Sequence, residues 1–338
     1  MPLPPIRRVA IIGSGMAGLT MAISLQAQGI EVTVLEKSRG PGGRLASKRV
    51  PGGSVDIGAQ FFTIRNEAFR QFLDQYAGRD SYRQWTGVLF HEQQPGLPTP
   101  YHAAQRYVGV PRMTAVSRAL SRHVPVQYQI RADRVVRMQQ QWQILEESGH
   151  SHGPFDGVVI TAPPEQAREL VRELPQVKQA LQDFAMLPTW SLAMKFREPL
   201  RLSFDGMSLK DGLLGWVARD ASKPERDSGE WWVVHASSDW SEAHQDDDAP
   251  SVEAAMTRAF AERFSHGQTP ESVVSHRWLY ARPASSETDS GFAAFQDSRL
   301  AFCGDWLNGG RVEGAWESAD ALIRHWRESG LLLSQHGG

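Results

Sequence analysis

The sequence predicts an α/β fold in which a nucleotide-type unit with a parallel sheet is interleaved with a smaller unit of antiparallel sheet and helix. Three observations predict it. Residues 13–18, GSGMAG, form a glycine-rich turn between a β-branched run and an apolar helical stretch. Apolar strand segments recur mid-chain (DGVVITA, 156–162) and near the end (RLAFCGD, 299–305). Between these lie TWSLAMKF, LLGWVARD and EWWVVHAS, which alternate or cluster as sheet strands.

Taken in order, RRVAII (7–12) suits a buried parallel strand, MAISLQAQ a helix and EVTVLE (31–36) a second strand. NEAFRQFLDQYA (66–77) reads as a helix and Pro95–Pro100 as a loop, followed by RYVG and a helix-like PRMTAVSRALSRH. VPVQYQI, RVVRMQQQ and WQILEE read as a β-meander, broken by a polar GHSHG turn before DGVVITA. Pro163 to Phe184 and SVEAAMTRAFAERF are helical in pattern. SVVSHRWLYARP (272–283) is a strand ending at proline, and GRVEGAWESADALIRHW closes the chain as a helix.

Composition narrows the function classes. The 338 residues carry 36 Lys+Arg against 38 Asp+Glu, leaving no net basic field for a nucleic acid or an anionic membrane. A small-molecule partner is expected. No apolar run approaches a transmembrane length, MPLPPIRR lacks the apolar region of a signal peptide, and a cytoplasmic location is expected. The single cysteine, Cys303, cannot form an internal disulfide and reads as a buried strand residue. No metal site is expected, because the two histidines of HSHG lack further ligands. QDDDAP reads as a solvated loop, and no G-x-S-x-G motif supports a hydrolase.

The glycine turn carries the first chemistry. Gly13, Gly15 and Gly18 fit G-x-G-x-x-G: the first permits the tight turn, the second lets a pyrophosphate approach the backbone, the third lets helix and strand pack closely. Met16 and Ala17 open the helix, whose free N–H groups and dipole favour phosphates. Glu36 ends the second strand, where a carboxylate can bond both ribose hydroxyls and would repel a 2′-phosphate; Lys37 follows it. This fingerprint does not choose between NAD and FAD.

The segment SRGPGGRLASKR (38–49) chooses. FAD binds extended, so a second backbone segment has to pass close to it, and glycines such as Gly43 allow that approach. Arg44 can add charge-assisted bonds to phosphate or ribityl oxygens.

EKSRGPGGR after GSGMAGL, with DIGAQFFT and FCGDW…GGRVEGAWESA, resembles the flavin-binding motifs of FAD-dependent amine oxidases and their relatives. The resemblance implies non-covalent FAD held by the residues named above together with Gln60, Phe61, Val135, Gly304, Asp305, Arg311, Val312, Gly314 and Ala315. Asp305 would be a cofactor carboxylate, and Val312 to Ala315 would set backbone N–H groups near the flavin N1–C2=O edge. Within that superfamily, DIGAQFFT, HRWLYARP and GDWLNGGRVEGAWESA most resemble the bacterial renalases. That implies a Rossmann-like FAD domain of the p-hydroxybenzoate hydroxylase type, and oxidation of the 2- and 6-dihydro isomers of NAD(P)H to NAD(P)⁺ with O₂ reduced to H₂O₂. Domain limits are expected at 1–65, 106–165 and 285–330 for the FAD unit and at 66–105 and 166–284 for the substrate unit, with 331–338 a flexible tail.

Such an oxidation needs a flat, aromatic-lined slot rather than a general base, because the dihydropyridine nitrogen itself drives hydride loss. Phe61 and Phe62 are candidates, as are His276, Trp278 and Tyr280, which share a strand face by their period of two. The same aromatic face would equally serve as core. Trp306 is a further candidate, and Arg65 and Arg282 would meet the substrate's pyrophosphate, with Arg106 and Lys195 weaker choices. The alternatives are an amine oxidase, a non-catalytic FAD-binding protein and an NAD-dependent dehydrogenase.

Overall fold

The computed structural model describes residues 5–101, 105–226, 229–265, 267–285 and 288–332. A six-stranded sheet runs in the order Val126–Tyr128, Glu31–Glu36, Arg8–Ile12, Gly157–Ile160, Leu300–Cys303, Phe292–Phe295. All neighbours are parallel except the last pair. Four separated stretches of chain therefore meet in one sheet, and the strand ends carry the turns that matter for function.

Side-chain parity explains its two covers. Val9, Ile11, Val32, Val34, Val159, Ala301 and Cys303 point to one face, against helices Met16–Gln26 and Val312–Glu328. Ala10, Ile12, Leu35, Val158, Ile160 and Phe302 point to the other, against Val135, Trp142, Ile144 and Phe155. Those four belong to a three-stranded meander, Ala132–Met138, Gln141–Glu146 and Ser151–Phe155. Burial on both faces is why these strands read as continuous apolar runs.

A second, seven-stranded sheet has the order Ser272–Pro283, Met186–Lys195, Trp231–Ala236, Leu214–Arg219, Gly206–Ser208, Leu89–Gln94, Leu97–Pro100. Leu192, Met194, Trp232 and Val234 face outward onto helix Ala249–Phe260 through Met256 and Phe260. Ala193, Trp231 and Val233 face inward onto Val55 and Ile57. The inward face thus looks at the segment that leaves the second glycine turn.

Several local expectations are corrected. Residues 97–100 are an edge strand paired with Leu89–Gln94; both prolines lie on the free edge of the sheet, where a missing N–H costs no ladder bond. Val126–Tyr128 joins the parallel sheet, and Ser151–Phe155 supplies the third meander strand in place of the expected turn. Pro163–Phe184 is two short helices, Pro164–Leu170 and Pro175–Ala180, because Pro175 cannot continue the first. Of the expected tail, Leu331 and Leu332 are buried and Leu331 accepts the Ile6 N–H at 3.0 Å; residues 333–338 lie outside the described residues.

Candidate functional site

The first glycine turn is built as its spacing requires. Gly13 has φ +107°, and a Cβ there would stand 2.5 Å from Thr161 Oγ1. A Cβ on Gly18 would meet the Gly13 carbonyl oxygen at 2.1 Å, so helix and turn are in backbone contact. Gly15 is different: a Cβ there meets nothing within 4 Å. It caps helix Met16–Gln26, which has no side-chain cap and no acid in its first turn. Met16 and Ala17 bury their side chains, leaving backbone to face that space. Open room at a helix N-terminus that no side chain caps fits a pyrophosphate. Glu36 is oriented beside it, accepting from Ser14 N at 2.9 Å, Ser14 Oγ at 2.7 Å and Ser38 N at 2.8 Å. Lys37 is exposed next to it.

The second glycine segment is tied directly to the first. Gly42 donates its N–H to the Ser14 carbonyl at 2.9 Å and has φ +119°, and a Cβ there would stand 2.6 Å from Ser117 Oγ. Gly43 is exposed, with open space where a Cβ would stand. Arg44 then grips both carboxylate oxygens of Asp305, one bond measuring 2.8 Å, and donates to the Ala281 carbonyl at 3.0 Å. Its own carbonyl accepts the Ala59 N–H at 2.9 Å. A Cβ on Gly58 would lie 2.2 Å from that carbonyl and 3.2 Å from the Trp278 ring.

Three more segments close around this point. Gly304 donates to Ser318 Oγ at 2.8 Å, while Gly310 and Asn308 donate to the Asp305 carbonyl. Helix Val312–Glu328 starts at Arg311, which is exposed and gives no side-chain cap. Gly314 packs so tightly that a Cβ would stand 2.0 Å from the Asn308 carbonyl oxygen, and Ala315 is buried. Glu313 turns inward to accept the Arg65 N–H at 2.6 Å and the Asn66 N–H at 2.7 Å. That bond is invisible in sequence, since nothing local links residues 248 positions apart.

The inward face of the seven-stranded sheet forms a wall. Trp278 donates its indole N–H to the Ile57 carbonyl at 3.2 Å, with the His276 ring edge-on at 4.3 Å. In register beside His276 stands Ser191, then His235, then Trp216. Phe61 is half-buried with its ring 5.7 Å from Trp216 and 6.3 Å from Trp85. Burial pushes His235 down to about 4, against a bond to the Ile57 backbone; burial and the Lys48 charge lower His276. Both rings are neutral near pH 7.

The other expected site residues divide between core and surface. Trp306 is 1 % exposed, donates to the Ala162 carbonyl at 3.2 Å and packs on Phe184, so it is core. Phe62 is 4 % exposed between Tyr82 and Tyr107, also core. The pairing shifts between Trp278 and Arg282, so the period of two breaks and Tyr280 packs with the core under the parallel sheet rather than beside Trp278. Arg282 and Arg65 are exposed. Val135 is fully buried, so its backbone alone could face a ligand. Lys195 ends its strand opposite Trp231 and Ser272.

A buried charge cluster supports the floor of the site and is not foreseen by the sequence pattern. Lys223 Nζ lies 3.1 Å from Asp220 Oδ1, 3.1 Å from Gln60 Oε1 and 3.5 Å from Asp56 Oδ2. Arg226 reaches Asp56 at 2.5 Å. Burial opposes ionisation of Asp56, but Lys223, Arg226 and the Met113 N–H outweigh it and hold its carboxyl below the usual range. Gln60 is therefore spent on this cluster rather than presented to a ligand. The only signal in sequence is SKPERD, whose charges read as a surface loop.

Residues 11–76 match the family described as NAD(P)-binding Rossmann-like domain, and residues 101–321 that described as flavin containing amine oxidoreductase. A hydroxyneurosporene desaturase of Rubrivivax gelatinosus is 44 % identical over 63 residues, 18 % of this chain and 12 % of that protein. An L-amino-acid oxidase of Crotalus adamanteus is 34 % identical over 70 residues, 21 % of this chain and 14 % of that protein. The chain thus aligns with only a small part of these relatives' length. Cyclohexylamine oxidase from Brevibacterium oxydans shares the fold, with TM-score 0.70 and 12 % identity over 96 % of this chain and all of that one. No helix among the described residues is long and apolar enough to cross a membrane.

Proposed function

The chain belongs to the flavin-containing amine oxidoreductase family, an FAD-dependent oxidoreductase, and from that premise we propose that it oxidises 2- and 6-dihydro isomers of NAD(P)H. The balance is dihydronicotinamide + O₂ + H⁺ giving NAD(P)⁺ + H₂O₂. Bound FAD would supply the two-electron acceptor for the hydride and the route by which oxygen is reduced. Its phosphates would lie at Gly15 and the start of helix Met16–Gln26, its ribose at Glu36, and its ribityl chain and ring between Arg44, Asp305 and the start of helix Val312–Glu328. The p-hydroxybenzoate hydroxylase type of architecture, the domain limits given above and a cytoplasmic location form part of the same reading.

The observation that carries it is the wall of Phe61, Trp278, His276 and His235, aromatic and uncharged near neutral pH. An electron-rich dihydropyridine needs a flat slot that holds the ring and excludes water, and no carboxylate to accept a proton. The resemblance of DIGAQFFT and HRWLYARP to the renalases supports the substrate class. A second reading, oxidation of an amine, is favoured by the family itself.

Anaerobic titration separates the two. Loss of the oxidised flavin absorbance on adding 2- or 6-dihydro-NAD, with no loss on adding cyclohexylamine or putrescine, is the expected result. The opposite pattern overturns the proposal in favour of amine oxidation.

A further inference from the structure

Arg106 carries a charge that its surroundings do not balance. It opens the strand Arg106–Gly109 and is 8 % exposed. Its guanidinium lies over the Tyr101 ring at 4.2 Å and over the Phe61 ring at 5.4 Å. One terminal nitrogen donates to the Tyr101 carbonyl at 3.2 Å, whereas Nε is buried with no acceptor. Among the described residues no carboxylate pairs with it. Arg44, Arg226 and Arg263, by contrast, each meet an acid: Asp305, Asp56 and Glu92. A buried guanidinium facing aromatic rings and a single carbonyl is costly unless an anion completes it.

The neighbourhood is unsatisfied in the same way. Beyond Phe61 the Trp216 Nε1 is buried without an acceptor, and next to it in register His235 Nε2 and Ser191 Oγ also lack partners. Buried polar atoms in native proteins are nearly always hydrogen-bonded, so a run of orphans on one sheet face marks where a ligand's polar groups belong. A guanidinium stacked on rings directs its N–H groups within its own plane, and that fork matches the oxygens of a phosphate or carboxylate.

We propose that Arg106 anchors an oxyanion group of the substrate, a phosphate or a carboxylate, beside Phe61. This rests on the preceding reading only in placing the substrate at that wall; binding of the anion does not depend on which compound is oxidised. Arg106 acts by positioning and exchanges no proton.

The test uses the flavin-loaded protein, whose own phosphate site is filled, and titration calorimetry with inorganic pyrophosphate and, separately, benzoate. The wild type is expected to bind one of them, which also tells phosphate from carboxylate. Arg106→Met should weaken that binding about 30-fold or more, and Arg106→Lys less, since it keeps the charge without the fork. Flavin content should be unchanged, and the ligand-free melting temperature of Arg106→Met equal to or above wild type, because an unpaired buried charge has been removed. Binding of neither anion by the wild type overturns the proposal. So does equal binding by Arg106→Met, or a lowered melting temperature with binding retained, which marks a purely structural stack. Should Arg106→Met fail to fold, Arg106→Lys decides: the same affinity as wild type for the bound anion shows that the fork is not used and overturns the proposal. Failure of dihydronicotinamide isomers to bleach the flavin, with Arg106-dependent anion binding intact, refutes the preceding reading and leaves this one standing.

Discussion

Arg44 and Asp305 are 261 residues apart in sequence, and the guanidinium of one holds both carboxylate oxygens of the other. The pair joins the second glycine segment to the turn after the last parallel strand, the two segments expected to flank the flavin. Its members are unequally covered: the Arg44 side chain is 33 % exposed and that of Asp305 8 %.

That asymmetry predicts unequal variants. Arg44→Met strands a buried carboxylate and should lower stability by about 3 kcal/mol, whereas Asp305→Asn leaves a cation that water can reach and should cost less. Urea unfolding of both variants checks the order, and the ratio of flavin to protein absorbance should fall in each. Equal losses of stability would show that the two charges are not buried as unequally as described.

Two glycines three residues apart should fail in different ways. Gly18→Ala places a methyl 2.1 Å from a backbone oxygen and should destabilise the protein by about 1–3 kcal/mol with or without flavin. Gly15→Ala meets no protein atom within 4 Å, so flavin-free stability should change by less than about 0.5 kcal/mol while flavin affinity falls. Melting curves of the flavin-free and flavin-loaded forms distinguish them. A Gly15→Ala protein with wild-type flavin affinity would remove the pyrophosphate from that turn.

Lys223 is fully buried between Asp56 and Asp220. Lys223→Met should destabilise by about 3–5 kcal/mol, since it leaves two buried carboxyls with only Arg226 beside them. Burial and the Asp56 charge already push the Asp220 carboxyl up, so adding Asp220→Asn, which cannot ionise, should recover part of the loss, a coupling that a double-mutant cycle reads directly.

His235 gives a pH signature. Unfolded, it takes up a proton near its ordinary 6.5; folded, burial delays that to about 4. A depressed folded value means that its contribution is complete above pH 6.5 and is lost as pH falls through 6.5 towards 4. The loss should be about 2–3 kcal/mol across that window. His276, lowered by burial and by Lys48, adds to the same limb. His235→Asn should therefore flatten the acid limb of unfolding free energy against pH without abolishing it.

Much of the fold can be read from local pattern because its signals are local. The turn at Gly13 to Gly18 lies between a strand and a helix that each announce themselves, and strand Ser272–Pro283 keeps the limits its composition suggests. What escapes such reading depends on residues far apart. Lys223 meets Asp56 only because two sheets pack, and Arg106 is left without an acid by residues near Phe61 and Tyr101 rather than by its own strand. Tyr280 leaves the expected wall because a shift in pairing resets the period of two, and Trp306 because adjacency to Asp305 in sequence says nothing about which way an indole turns. Edge strand Leu97–Pro100 is hidden by its prolines, which argue against a central strand but not against an edge.

The strand order carries a consequence for how the molecule is made. The central strand Arg8–Ile12 is flanked by Glu31–Glu36, synthesised soon after it, and by Gly157–Ile160, which in turn waits for Leu300–Cys303. On a ribosome the early glycine turns emerge long before the partners that complete them, leaving a half-built sheet with an apolar edge. Productive folding is therefore held back until Leu300–Cys303 has been made, and a stalled chain ending before Asp305 would be an aggregation-prone intermediate rather than a smaller working flavoprotein.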